Sequence, residues 1–249
     1  MLILLPPSES KATRDRGAPA RPHTLSFPEL APARAEVAKA LTTVSARPDA
    51  ASLLGVGPAV AGEVGRNLRL ADAPALPARE LYTGVLYDAL DLASLDAASA
   101  RRAARRIVVV SALYGAVRPT DRLAPYRLSM GVPLPGPGPL ATFWRPHLGP
   151  VLASAAGRGL VVDCRSSTYA AAWAPAGELV RRWVQVRVPG ATHMAKHTRG
   201  LVARALCRTP EDPRRPEALV ELLEEEFEVA LHKPGRAGRP WTMDVVHRG

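Results

Sequence analysis

Three short polar loops carry most of the side chains able to do chemistry, and each follows an abrupt apolar run. PPSESK at 6–11 follows LILL, SALYGAVRP at 111–119 ends the run that begins IVVV, and DCRSSTY at 163–169 follows GLVV. Together they hold Ser8, Ser10, Lys11, Tyr114, Arg118, Arg165, Ser166, Ser167 and Tyr169. Hydroxyls, backbone N–H groups and a few cations are what phosphate oxygens need. If the three runs are parallel neighbours in one sheet, these loops meet beyond the strands' carboxyl ends, where α/β folds bind ligands. The local alternative is that Ser166 or Ser167 caps the next helix and Arg118 pairs with Asp121.

A second constellation is LLGVGPAVAGEVGRN at 53–67. A short apolar helix, a Gly55-Val56-Gly57 turn and a second helix opening at Pro58 make the helix-hairpin-helix pattern, placed over 50–69. Proline suits a first helical turn, where its missing N–H costs nothing. The glycines permit φ > 0 and leave no Cβ, so a partner's backbone can approach closely. The N–H groups heading the second helix can hold a DNA phosphate, with Arg66 and Arg69 adding charge. Such contacts position a backbone without reading its sequence. The alternative is a plain αα-corner. A dinucleotide fingerprint is excluded, because no strand precedes these glycines and their spacing is wrong.

Charge agrees with a polyanionic partner: 33 basic against 23 acidic residues leave +10 over 249 positions. Arginine-rich composition alone can produce that excess. The four lysines, Lys11, Lys39, Lys196 and Lys233, are therefore the more informative cations. His193 and His197 stand four apart, but Pro189 and Gly190 place His193 in a loop, so no metal set is expected. Cys164 and Cys207 read as small core residues; peroxide sensing would require exposure and a lowered thiol pKa. MLILLPP is too short for a signal peptide, and no run nears the ~18 apolar residues of a membrane span. These features predict a cytoplasmic chain with no membrane partner and no cofactor; the oligomeric state is not readable.

The elements that must position these groups follow from periodicity. Continuous apolar runs at 2–5, 107–113 and 159–164 predict buried strands. RWVQVRV, within 181–188, alternates and suits a strand with one wet face, and 245–247 suggests a closing edge strand. Apolar spacing predicts helices over 28–46, 94–105 (Ser94 as N-cap), 140–156, 196–207 and 216–226. LPGPGP at 134–139 is a surface loop. The pattern is mixed α/β, a single domain over 1–249, with a central mixed sheet flanked by helices.

MLILLPPSESK, YTG at 82–84, SALYGAVRPTDRLAPYRLSMG at 111–131, FW at 143–144 and AKHTRGLVARAL at 195–206 together resemble the YaaA family of peroxide stress proteins. The likeness spans nearly the whole chain. It implies an α/β-type domain of unusual topology with a helix-hairpin-helix and a basic cleft, double-stranded DNA binding, and protection against hydrogen peroxide by limiting iron-driven damage. The matching positions are Lys11, Tyr82, Gly84, Tyr114, Gly115, Arg118, Pro119, Tyr126, Arg127, Tyr169, Lys196, Arg199 and Gly200. Two departures stand out. Lys11 follows an inserted-looking Ser-Glu-Ser, and Ser167 and Thr168 replace acidic residues before Tyr169. The basic pair Lys196–His197 makes the charge there pH-dependent.

Three functional readings follow. The first is non-sequence-specific binding of double-stranded DNA: Gly55, Gly57 and Pro58 on the backbone, and Lys11, Arg66, Arg118, Tyr126, Arg127, Arg165, Lys196 and Arg199 in a basic cleft. The second is an enzyme acting on a nucleotide- or base-like molecule, with Lys11 or Lys196 as base or nucleophile and Tyr114, Tyr126 or Tyr169 passing a proton. The third is a scaffold using the acidic helix at 217–228.

Overall fold

The computed structural model describes residues 1–190 and 194–248, so the loop expected around His193 lies outside the described residues. Seven strands form one mixed sheet: β1 Leu2–Leu5, β2 Ile107–Ser111, β3 Gly115–Val117, β4 Val161–Asp163, β5 Trp183–Arg187, β6 Phe227–His232 and β7 Trp241–His247. Their spatial order is β6-β7-β5-β4-β1-β2-β3. Strand β1 is parallel to both neighbours, with Ile3 opposite Ile107 on one side and Val162 on the other. Its four residues are wholly buried, as a two-sided apolar run requires. Only β3 and β6, at the two edges, run antiparallel to their neighbours.

The three expected buried strands are therefore adjacent and parallel, and their carboxyl ends point the same way. The expectation failed at the chain's end. The segment 245–247 belongs to a seven-residue strand one place in from the edge, between β5 and β6. The true edge, FEVALH, follows directly after the acidic helix, which winds only over Ala218–Leu223 (α9). Phe227 and the alternation after it took that segment from helix to sheet.

Nine helices of α type are described, α1 Ala31–Ser45, α2 Ala50–Leu53, α3 Ala78–Leu81, α4 Val85–Leu90, α5 Ala97–Arg106, α6 Leu140–Ala156, α7 Ser167–Ala170, α8 Met194–Arg208 and α9. The cap of α5 is Asp96 rather than Ser94: its carboxylate accepts from the Ala98 and Ser99 N–H groups at 2.8 and 3.0 Å. Aspartate reaches two of the orphan donors that open a helix. Gly200 sets the closest helix contact. A Cβ there would lie 2.2 Å from the Leu86 carbonyl oxygen, so glycine lets α8 press onto α4.

The segment 50–69 folds as α2, a turn and a 3₁₀ helix, Pro58–Arg69, kinked at Val60. Gly55 uses left-handed backbone (φ 62°), whereas Gly57 is extended at φ −66°, ψ 156°. The 3₁₀ winding differs from the expected second helix. Among the described residues no helix is long and apolar enough to cross a membrane.

Candidate functional site

The loops after β1 and β4 meet α4 and α8 around a cleft of about 310 Å³ at the carboxyl ends of the parallel strands. Residues 6–10 form one side, Gly84–Tyr87 another, and Ser166, Tyr169, Lys196 and Arg199 complete it. Tyr87 fixes the first loop by donating to the Pro6 carbonyl at 2.7 Å. Lys196 and Arg199, three apart on α8, share a helix face. Neither has an ion-pair partner among the described residues. The Arg199 Nε is buried without a hydrogen-bond partner, while Ser129 and the Met130 backbone stand within reach of the Tyr169 hydroxyl.

Lys11 is part of the same corner but does not line the cleft. Its ammonium donates to the Ser8 carbonyl at 2.7 Å and lies 4.2 Å from the centre of the Tyr126 ring. Burial lowers its pKa to about 8, with Glu9 opposing and Arg127 assisting the shift. Below it runs a buried hydroxyl chain: Tyr82 to Tyr126 at 3.2 Å, and Tyr126 to Ser111 at 2.8 Å. Burial pushes the Tyr82 phenol up to about 12 and Tyr126 well above its ordinary value.

Arg127 links this corner to the 3₁₀ helix Pro58–Arg69. It meets Glu9 at 3.4 Å and Glu63 at 3.2 Å, and Glu63 also meets Arg66 at 3.3 Å. Asn67, fully buried, exchanges hydrogen bonds with the Arg127 backbone in both directions. The 3₁₀ helix is therefore tied directly to the rim of the cleft. Sequence reasoning missed Glu9, Glu63 and Asn67 as the coupling, because their shared partner, Arg127, lies 60 or more residues away in the chain.

Several expected site residues are elsewhere. Arg165 is completely buried, with its guanidinium on Asp163 at 2.7 Å and donating to the Trp173 and Tyr169 carbonyls. It braces the loop from inside and offers no charge to a ligand. Arg118 follows β3, which runs antiparallel to β2, and donates to the Ile107 carbonyl at the amino end of that strand. It stands at the opposite end of the sheet from Lys11 and Lys196, so the three cations do not share one trough. Asp121 does accept from the Arg118 backbone N–H. Tyr114 is buried, donates to the Ala124 carbonyl, and borders a separate apolar hollow with Arg34. Tyr126 is internal beneath Lys11. A larger hollow of about 400 Å³ lies beside Pro119 and α5, at the Arg118 end of the sheet and away from Lys11 and Lys196.

Both cysteines are buried, and burial raises each thiol to about 12. A thiolate at neutral pH is thereby disfavoured, which argues against direct peroxide sensing by either.

A seven-stranded mixed sheet flanked by helices, with a polar cleft over the carboxyl ends of its central parallel strands, defines a mixed α/β domain. The chain belongs to the family described as peroxide stress protein YaaA, whose model matches residues 1–232. It is 50% identical to a UPF0246 protein of Streptomyces coelicolor, across 99% of this chain and 98% of that one. A UPF0246 protein of Corynebacterium efficiens is 38% identical over 85% of this chain and 87% of its own, and one of Paracidovorax citrulli is 34% identical over 82% and 84%.

Proposed function

We propose that this protein serves the peroxide response by holding the phosphate backbone of double-stranded DNA without reading its sequence. The carrying observation is the Gly55-Val56-Gly57-Pro58 turn. Both glycines are exposed, and a Cβ added at either would meet nothing within 4 Å, so a phosphate can come up against the backbone. The N–H groups that open the following helix lack helical partners and attract an anion. Toward the far end of that helix a hollow of about 330 Å³ gathers Arg14, Arg66 and Arg69 around a single carboxylate, Asp15. Lys196 and Arg199 add charge at the cleft, which the Glu63–Arg127–Glu9 chain joins to the hairpin. Arg165 and Arg118 take no part in this surface.

Titration of a short duplex at rising salt tests the reading. Affinity should fall linearly on a log–log plot, by about 0.9 per phosphate neutralised. A flat response, or no binding at low salt, removes it.

The buried Lys11 favours a second reading, catalysis on a nucleotide- or base-like molecule. An amine lowered to about 8 is partly neutral near physiological pH and can act as base or nucleophile. Lys11→Met and Lys196→Met separate the two. Loss of peroxide protection with duplex affinity unchanged assigns chemistry rather than binding.

A further inference from the structure

The cleft where α4 and α8 meet the loops after β1 and β4 is lined by two chemically different sets of residues. Pro6, Pro7 and the largely buried Tyr87 form one set, and the Tyr87 ring is held in place by its bond to the Pro6 carbonyl. Lys196 and Arg199 on α8 form the other. One polar atom among its lining residues, the Arg199 Nε, is buried without a partner, and Tyr169 beside it is only 6% exposed. A buried donor left unpaired is costly, so a guest that accepts from it is favoured there. The one carboxylate in the lining, Glu9, lies 3.4 Å from Arg127 and is neutralised there, on the side of the hairpin. An anion is therefore drawn to the α8 end. A space of about 310 Å³ is at the small end of ligand sites and suits one nucleotide, not a duplex.

We propose that this cleft takes a single nucleotide unit, its base against Pro6, Pro7 and Tyr87 and its phosphate on Lys196 and Arg199. This takes up the nucleotide-like ligand of the second reading above and rests on that part of it, not on chemistry by Lys11, which lies outside the lining; it does not require the hairpin to bind duplex. The unit can be a free mononucleotide or a residue extruded from a strand, since both present the same ring and phosphate.

The test titrates the full chain calorimetrically with each of the four 5′-mononucleotides, the matching nucleosides and inorganic phosphate. At least one mononucleotide should bind about tenfold or more tightly than its nucleoside and than phosphate. Arg199→Gln and Lys196→Met should each weaken it by about tenfold, and Tyr169→Phe, which removes only the hydroxyl, by several-fold. Lys196 is exposed, so its variant tests the phosphate contact even if changes at Arg199 or Tyr169 disturb folding. No mononucleotide binding, or binding no tighter than phosphate alone, overturns the proposal. A duplex carrying 2-aminopurine opposite a mismatch distinguishes the sources. A rise in its fluorescence on binding identifies an extruded base, and no rise with mononucleotide binding intact identifies the free nucleotide. Affinity for an unmodified duplex, measured alongside, reports on the hairpin alone, so either reading can fall without the other.

Discussion

The ammonium of Lys11 stands 4.2 Å from the centre of the Tyr126 ring, closed in by burial and tied to the Ser8 carbonyl at 2.7 Å. Its pKa of about 8 lies below the ordinary 10.5, because burial disfavours the charged form more than the aromatic face and Glu9 restore it. At pH values below 8 both folded and unfolded chains carry the proton, and the full penalty is present. Between 8 and 10.5 the unfolded chain binds more protons, so stability rises with pH. Relative to Lys11→Met, the wild-type chain should gain about 2 kcal/mol between pH 7 and pH 9.5. Urea unfolding of both proteins at the two pH values checks this, and a difference independent of pH contradicts it. The range stops short of pH 10 because the buried tyrosines, whose folded pKa values are raised, lose stability beyond it.

The buried pair Arg165–Asp163 carries the loop after β4. Asp163 also accepts from the Trp183 indole, and Arg165 holds the Tyr169 and Trp173 carbonyls. Removing one partner strands a charge in the core. Asp163→Ala should cost about 3–5 kcal/mol. A loss under about 1 kcal/mol in chemical denaturation would show that the pair is dispensable.

How much of this was readable beforehand can be judged at particular residues. The runs at 2–5, 107–113 and 159–164 announced three buried strands, because only a two-sided neighbourhood tolerates unbroken Leu, Ile and Val. Their adjacency follows from that need for neighbours. The destination of each arginine was not readable. Arg165 and Arg199 look alike in sequence, yet one is sealed against Asp163 and the other borders the cleft; only the packing of α7 and α8 distinguishes them. Arg118 was misplaced because the turn at 112–114 reverses the chain and carries it back to the other end of the sheet. The edge strand 227–232 was missed because the Glu run before it masked its alternation.

Gly200 and Gly65 make a matched pair of tests. A methyl at Gly200 runs into the Leu86 carbonyl and the Ala89 side chain, whereas one at Gly65 meets nothing. Gly200→Ala should destabilise by about 1–3 kcal/mol and displace the face of α8 that bears Lys196 and Arg199. Gly65→Ala should be neutral or stabilising by up to about 1 kcal/mol. Thermal unfolding ranks them, and equal effects contradict the close contact between α4 and α8.

The thiols offer a negative prediction. With both cysteines buried and their pKa values near 12, neither should react with a thiol reagent or with millimolar peroxide in the folded chain. Labelling should appear only in denaturant. Peroxide protection should survive Cys164→Ala and Cys207→Ala in cells wherever the variants remain folded; its loss with folding intact would restore a sensing role.

The arginines separate a local phosphate interface from a general charge effect. Arg69 is exposed, follows the Gly55–Pro58 turn on the 3₁₀ helix, and has no ion-pair partner among the described residues. Arg118 lies at the amino end of the parallel strands with its guanidinium against Phe27 and the Ile107 carbonyl. Both changes to Gln remove one unit of net charge, so a diffuse field would be weakened equally by each. If the hairpin holds the backbone, Arg69→Gln should lower the salt slope of duplex binding by about 1, the signature of one lost phosphate contact. Arg118→Gln should leave the slope unchanged and shift affinity slightly. Identical slopes for the two variants would mean that duplex binding, where it occurs, comes from net charge, and the hairpin would lose its assigned part in it.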